Sequence, residues 1–222
     1  MMPEISLNIL DVAENSTRAD ASLVQITVDV QPDADRLTVI ITDDGCGMTK
    51  EQVERVTDPF YTSRTTRKVG LGVPFFKFAA ESTGGSFSIE SEPGKGTTVT
   101  AIFTLNHIDR MPLGDMTATI HTLIQGHPDT DFLYVYRCSE KEFSLDTREM
   151  RAILGDVPFD TPEISSYIKD YLTENKLETD GGAVYGPVSM TAGSALFSST
   201  VFHARSRKPN RNHRQNRRTN IT

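Results

Sequence analysis

Residues 37–48, Leu-Thr-Val-Ile-Ile-Thr-Asp-Asp-Gly-Cys-Gly-Met, open as a β-branched run and end on two acids and two glycines. The run 37–42 predicts a buried strand. In the turn after it, Asp43 can accept a hydrogen bond, while Gly45 and Gly47 let the backbone, with Met48 beside it, approach a flat ligand. Upstream, 24–30 (VQITVDV) is a second β-branched strand, joined to the first through Gln-Pro-Asp-Ala-Asp, which predicts a hairpin. Before it, 4–19 carries two stripes at steps of three and four: Ile5, Ile9 and Val12 for a core, and Asn8, Asp11, Asn15 and Arg18 for a polar face.

Downstream, Thr49 with Gln52 makes a capping box for a short helix reaching about Val56. After a loop over 58–69, Pro74 opens a helix through Phe75, Phe76, Phe78 and Ala79, ended by Gly84 and Gly85. Strands 87–91 and 97–105 flank the turn Glu-Pro-Gly-Lys-Gly. The order of helix, two strands, two helices and two strands predicts an α/β sandwich: a mixed, mostly antiparallel sheet with helices on one face. From His107 the pattern changes. A hairpin over 131–137 and 142–145, with helices near 147–154 and 162–175, predicts a small α/β C-terminal appendage. We divide the chain into 1–106, an accessory region 107–178, and a basic tail 179–222 expected to be disordered.

A chain of 222 residues suits one main core with an accessory region. No apolar run approaches a membrane span, and the start lacks the basic and apolar segments of a secretory signal. Cys46 and Cys138 stand in unrelated contexts, which argues against a disulfide framework or a zinc site and fits a cytoplasmic location. The net charge of −7 is uneven: from His203 onward there are seven Arg or Lys and no acid, leaving −14 on the residues before. Nucleic-acid binding is not expected, except through that tail.

The polar stripe and the glycine turns carry the chemistry. An Asn amide oxygen at position 15 is a neutral hard ligand that completes the shell of a Mg²⁺ held by phosphates. Asp11, one turn earlier, can take a proton from a group attacking a γ-phosphate. Gly70, Leu71 and Gly72 lead into a helix N-terminus, where free amides attract phosphate. Arg64, Arg67 and Lys68 precede that turn and can clamp phosphates. Gly94-Lys95-Gly96-Thr97 enters the last strand.

The order Asn15, Asp43-x-Gly45-x-Gly47, Asp58-Pro-Phe-Tyr-Thr-Ser-Arg64, Gly70-x-Gly72 and Gly94-x-Gly96-Thr97 resembles the Bergerat-fold ATPases of the GHKL superfamily. That group comprises gyrase B, the heat-shock chaperone, histidine kinases and MutL. The likeness covers about 4–105, and five patterns in order are jointly specific where each alone is common. It implies Mg-ATP as ligand, Asn15 on the metal, Asp43 on the adenine amino group and Thr97 joining the adenine contact through water. The chain departs from the pattern in three ways. Its five His (107, 121, 127, 203 and 213) all follow the domain, so a complete autophosphorylating sensor kinase is not expected. The base position holds Asp11 rather than Glu, and the segment between Phe60 and Gly70 is brief. The whole resembles small stand-alone bacterial ATP-binding proteins. Two functions are expected from this: a kinase or regulatory ATPase acting on a protein partner, or a non-catalytic ATP sensor whose ordered lid binds one.

Overall fold

The computed structural model describes residues 4–57, 72–183 and 185. The sequence expectations for the 58–71 loop, and for the tail beyond residue 185, therefore lie outside the described residues. In chain order the elements are α1 (Ile5–Arg18), β1 (Leu23–Gln31), a 3-10 turn (Pro32–Ala34), β2 (Arg36–Asp43), α2 (Lys50–Val56), α3 (Gly72–Glu81), β3 (Ser86–Glu92) and β4 (Gly96–Thr104). Then follow α4 (Met116–Gly126), β5 (Asp131–Cys138), β6 (Lys141–Asp146), α5 (Thr147–Leu154) and α6 (Pro162–Asp180).

One sheet takes all six strands in the order β3-β4-β2-β1-β5-β6. Every pairing is antiparallel except β1 with β5, which gives the mixed, mostly antiparallel sheet of an open α/β sandwich. Register explains the two faces, because residues directly opposite share a side of the pleat. Ile26 faces Ile41, which faces Val99, and on its other side Ile26 faces Tyr134 and then Leu145. All five are buried. The row next to it, Gln25, Thr42 and Thr98, is partly or fully exposed, as alternation requires.

The helices cover the buried side. Ile5, Ile9, Val12 and Ala13 form the buried stripe of α1, which packs against α3 and α4, and α4 packs against α6. Phe76 of α3 inserts between Phe87 and Phe103, with ring centroids 6.0 and 5.9 Å away. The capping box of α2 is complete: Thr49 Oγ1 accepts from the Gln52 amide, and Gln52 Oε1 accepts from the Thr49 amide at 2.7 Å.

Two features of the C-terminal half were not expected. Helix α4 is new. Its buried residues Met116, Thr119, Ile120, Leu123 and Ile124 follow helical spacing, and Asp115 caps it by accepting from the Ala118 amide at 2.9 Å. Helix α6 runs on to Asp180, five residues past the expected end, and closes on Gly181 in the left-handed conformation, as helix ends favour. The accessory region extends the sheet by two strands, since β5 lies beside β1. The connector before α4 also serves α1: Ile5 and Ser6, whose amides have no partner inside the helix, donate to the Pro112 and Leu113 carbonyls at 3.0 and 2.8 Å. Arg110, 3% exposed, pins this connector through the carbonyls of Leu105, Met111 and Tyr185. No helix among the described residues is long and apolar enough to cross a membrane.

The end of α6 is tied to β5 by one fully buried carboxylate. Asp180 accepts from the Tyr136 hydroxyl at 2.8 Å and from Lys176 Nζ at 2.6 Å. Burial, with that carboxylate on its hydroxyl, pushes the Tyr136 phenol well above its ordinary range and keeps it a donor. Removing the acid strands a half-buried ammonium and a buried hydroxyl, so Asp180→Ala should lose about 3 kcal/mol of stability, and Tyr136→Phe only about 1 kcal/mol. Urea midpoints at unchanged slope measure both. An Asp180→Ala midpoint matching the parent's would contradict this anchor.

Candidate functional site

The end of β2 places two adjacent acids in different environments. Asp44 turns back to the start of β1, where its oxygens accept from the Ser22 amide, the Ser22 hydroxyl and the Leu23 amide. Partial burial works to raise its pKa, but these hydrogen bonds outweigh it and hold the carboxyl below its ordinary value. Asp44 is thus a tie between strand ends.

Asp43 points to the helix side of the sheet and is 9% exposed. Its Oδ1 accepts from the Gly45 amide at 3.0 Å and the Thr97 amide at 3.1 Å, and its Oδ2 accepts from the Ser16 hydroxyl at 2.5 Å. The register that sets Asp43 opposite Thr97 supplies the second contact, and the last turn of α1 supplies the third. One lone pair of Oδ2 stays available to a further donor.

A cavity of about 390 Å³ opens over this carboxylate. Val12, Ile89 and Val99 give it apolar walls, and Asn15, Gly47, Met48 and Thr97 line it beside Asp43. Such volume, apolar walls and a few fixed polar groups suit a small organic ligand. Three stretches far apart in sequence, holding Asn15, then Asp43, Gly47 and Met48, then Thr97, all singled out there, thus meet at one cavity. The glycines also serve the packing of the backbone. A Cβ on Gly45 would lie 2.7 Å from the Ala19 carbonyl oxygen, and one on Gly47 would lie 2.0 Å from that of Glu92. Their bareness lets the loop pack against α1 and β3, and Gly45 is absent from the cavity wall. Gly96, at φ +97°, meets the Asp43 backbone in the same way.

Asn15 Oδ1 accepts from Arg18 Nη1 at 3.1 Å, and Arg18 Nη2 lies 3.3 Å from Glu14 Oε2. An amide oxygen is a proper Mg²⁺ ligand, and it becomes free for one once the exposed guanidinium swings aside. Asp11 stands one turn before Asn15 and outside the cavity wall. Its Oδ2 is buried without a hydrogen-bond partner among the described residues, against the first turn of α3, where a Cβ on Gly72 would overlap it. A helix N-terminus favours a carboxylate there. Arg64, Arg67, Lys68, Gly70 and Leu71 lie outside the described residues.

Three contributors escaped the sequence reading. Ser16 holds Asp43. Ser91 accepts from the Met48 amide at 2.8 Å and pairs with the Thr97 hydroxyl at 2.9 Å, so one hydroxyl positions two wall residues. Arg18 was visible on the polar stripe but was not assigned a role.

Comparison with known proteins finds relatives over the same part of the chain. The family model for the histidine kinase-, DNA gyrase B-, and HSP90-like ATPase matches residues 3–107. The non-motile and phage-resistance protein of Caulobacter vibrioides is 33% identical over 121 residues, covering 52% of this chain and 14% of that protein. Sensor histidine kinase WalK of Bacillus subtilis is 38% identical over 87 residues, covering 37% of this chain and 14% of that one. Sensor protein SrrB of Staphylococcus aureus is 36% identical over 102 residues, covering 44% and 17%. The matched stretches thus span a small fraction of these relatives' length. Among solved structures, the N-terminal domain of a DNA repair protein superposes with a TM-score of 0.41 at 14% identity, covering 65% of this chain and 52% of that one. Residues 3–107, a little under half of the chain, thus fit an ATPase domain of the histidine kinase-, DNA gyrase B- and HSP90-like type.

Proposed function

We propose that the chain binds Mg-ATP in the cavity over Asp43 and acts on a protein partner as a kinase or regulatory ATPase. The observation that carries the reading is a buried carboxylate, fixed by three donors from three elements, with a spare acceptor lone pair at an apolar cavity of about 390 Å³. An acceptor so placed suits the exocyclic amino group of adenine and opposes the carbonyl that guanine carries at the same position. Asn15 would hold Mg²⁺ and Arg18 would meet the phosphates, with Arg64, Arg67 and Lys68 as further phosphate contacts. Bound Mg²⁺ neutralises phosphate charge and aligns the γ-phosphoryl group for in-line transfer.

In the kinase reading a hydroxyl of the partner attacks the γ-phosphorus, the bond to the β-γ bridging oxygen breaks, and ADP leaves. Asp11 takes the proton of the attacking group. In the ATPase reading a water replaces that hydroxyl. The burial of Asp11 Oδ2 against Gly72 favours a second reading, because a base must be reachable by the group it deprotonates. In that reading the chain is an ATP sensor that binds its partner without turnover.

Two outcomes follow. Asp43→Asn keeps the side-chain volume but sets a donor against the adenine amino group, so ATP affinity should fall roughly ten- to a hundredfold, while the parent prefers ATP to GTP. Calorimetric titration reads both, and a parent that binds the two nucleotides alike would overturn the adenine assignment. Asp11→Asn should keep ATP affinity within about threefold and cut phosphate release or transfer by roughly 10²-fold, the scale of losing a general base. A parent without turnover, alone or with co-purified proteins, selects the sensor reading.

A further inference from the structure

From outside the matched residues, one side chain reaches back to helix α1 beside the cavity over Asp43. His127, in the connection from α4 to β5, places Nε2 2.8 Å from Glu14 Oε1 on α1. A carboxylate only accepts, so Nε2 carries the proton. The ring is fixed on two further sides. Its backbone amide donates to the Leu123 carbonyl at 3.1 Å, closing α4, and the ring lies 6.5 Å from that of Phe132 at the start of β5. Both partners are mostly shielded, with side chains 25% and 28% exposed. Glu14 is thereby divided: Oε1 belongs to His127, and Oε2 faces Arg18 at 3.3 Å. Arg18 in turn donates to Asn15 Oδ1 at the cavity.

We propose that His127 is a positioning residue for the nucleotide site, acting through Glu14 to hold the Arg18 guanidinium beside Asn15, where the phosphates would lie. The inference rests on the Mg-ATP reading of that cavity. The arrangement limits Glu14 to one oxygen on Arg18, at a distance longer than a strong charge-assisted bond. The guanidinium is therefore oriented at the cavity yet free to exchange its carboxylate for phosphate. Without His127, the carboxylate either lets Arg18 wander or turns both oxygens onto it in a bidentate grip that competes with phosphate. Each outcome weakens triphosphate binding and leaves the adenosine part of the site untouched. The accessory region thereby acts on affinity, and a partner that moves the α4–β5 connection would change ATP binding without touching the cavity.

The test uses the full chain and calorimetric titration with Mg-ATP and with AMP. His127→Ala should weaken Mg-ATP about three- to tenfold and leave AMP unchanged. His127→Gln, whose amide can donate from about the position of Nε2, should restore Mg-ATP affinity. In a Glu14→Gln background His127→Ala should add nothing, because its path runs through that carboxylate. Equal weakening of ATP and AMP, or an effect of His127→Ala that persists without the Glu14 carboxylate, would show a merely structural role and overturn the proposal. Unchanged Mg-ATP affinity in His127→Ala, with the parent binding normally, would overturn it while sparing the Mg-ATP reading. A parent that binds no Mg-ATP would remove both.

Discussion

The Asp43 carboxylate, buried at the end of β2, is the constraint on which the candidate site depends. Largely buried, its oxygens must be met by donors, and three arrive from different parts of the fold: the Ser16 hydroxyl from α1, the Gly45 amide from the turn, and the Thr97 amide from β4. Each donor is also a positional statement. Ser16 fixes the roll of α1, which sets Asn15 toward the cavity. Thr97 fixes the entry of β4, and Ser91 joins Thr97 to Met48. Moving any one of them would leave a buried polar group poorly satisfied, so the donors and the carboxyl group brace one another.

The accessory region holds α1 from the other side. Its connector accepts the first free amides of α1, β5 continues the sheet beside β1, and His127 touches Glu14 near the last turn of the same helix. Helix α1 is therefore held at its start by the 110–113 segment and near its end by α4 and by Asp43. This helix carries Asp11, Asn15 and Arg18, so the residues beyond 107 bear on the geometry of the Asn15 side of the cavity. Arg110, buried against three carbonyls, makes that arrangement costly to undo.

Much of this was legible in the chain. The β-branched run 37–42 formed its strand, and the acid-glycine pattern after it marked a strand end beside a cavity. The capping box at Thr49 formed as read. Pairings distant in sequence were not legible: Ser16 with Asp43, Met48 with Ser91 and His127 with Glu14 are 27, 43 and 113 residues apart, and no local pattern marks them. Helix α4 is a different omission. Its stripe of Met116, Ile120, Leu123 and Ile124 has helical period, but Thr117, Thr119 and Thr122 between them are β-branched, as are the two Ile of the stripe, and lower the propensity that would have announced it. The packing role of the glycines was a third thing no local pattern shows, because the backbones that approach Gly45, Gly47 and Gly96 come from distant parts of the chain.

The central claim is that the cavity over Asp43 takes adenine nucleotides together with Mg²⁺. Its most direct test is calorimetric titration of the full chain with ATP in the presence and absence of Mg²⁺, with an Asn15→Ala chain titrated in parallel. The account expects one ATP per chain, tighter with Mg²⁺, and a gain from Mg²⁺ that disappears in Asn15→Ala while the protein stays folded. Absence of ATP binding by the parent, or a Mg²⁺ gain that survives in Asn15→Ala, would contradict it.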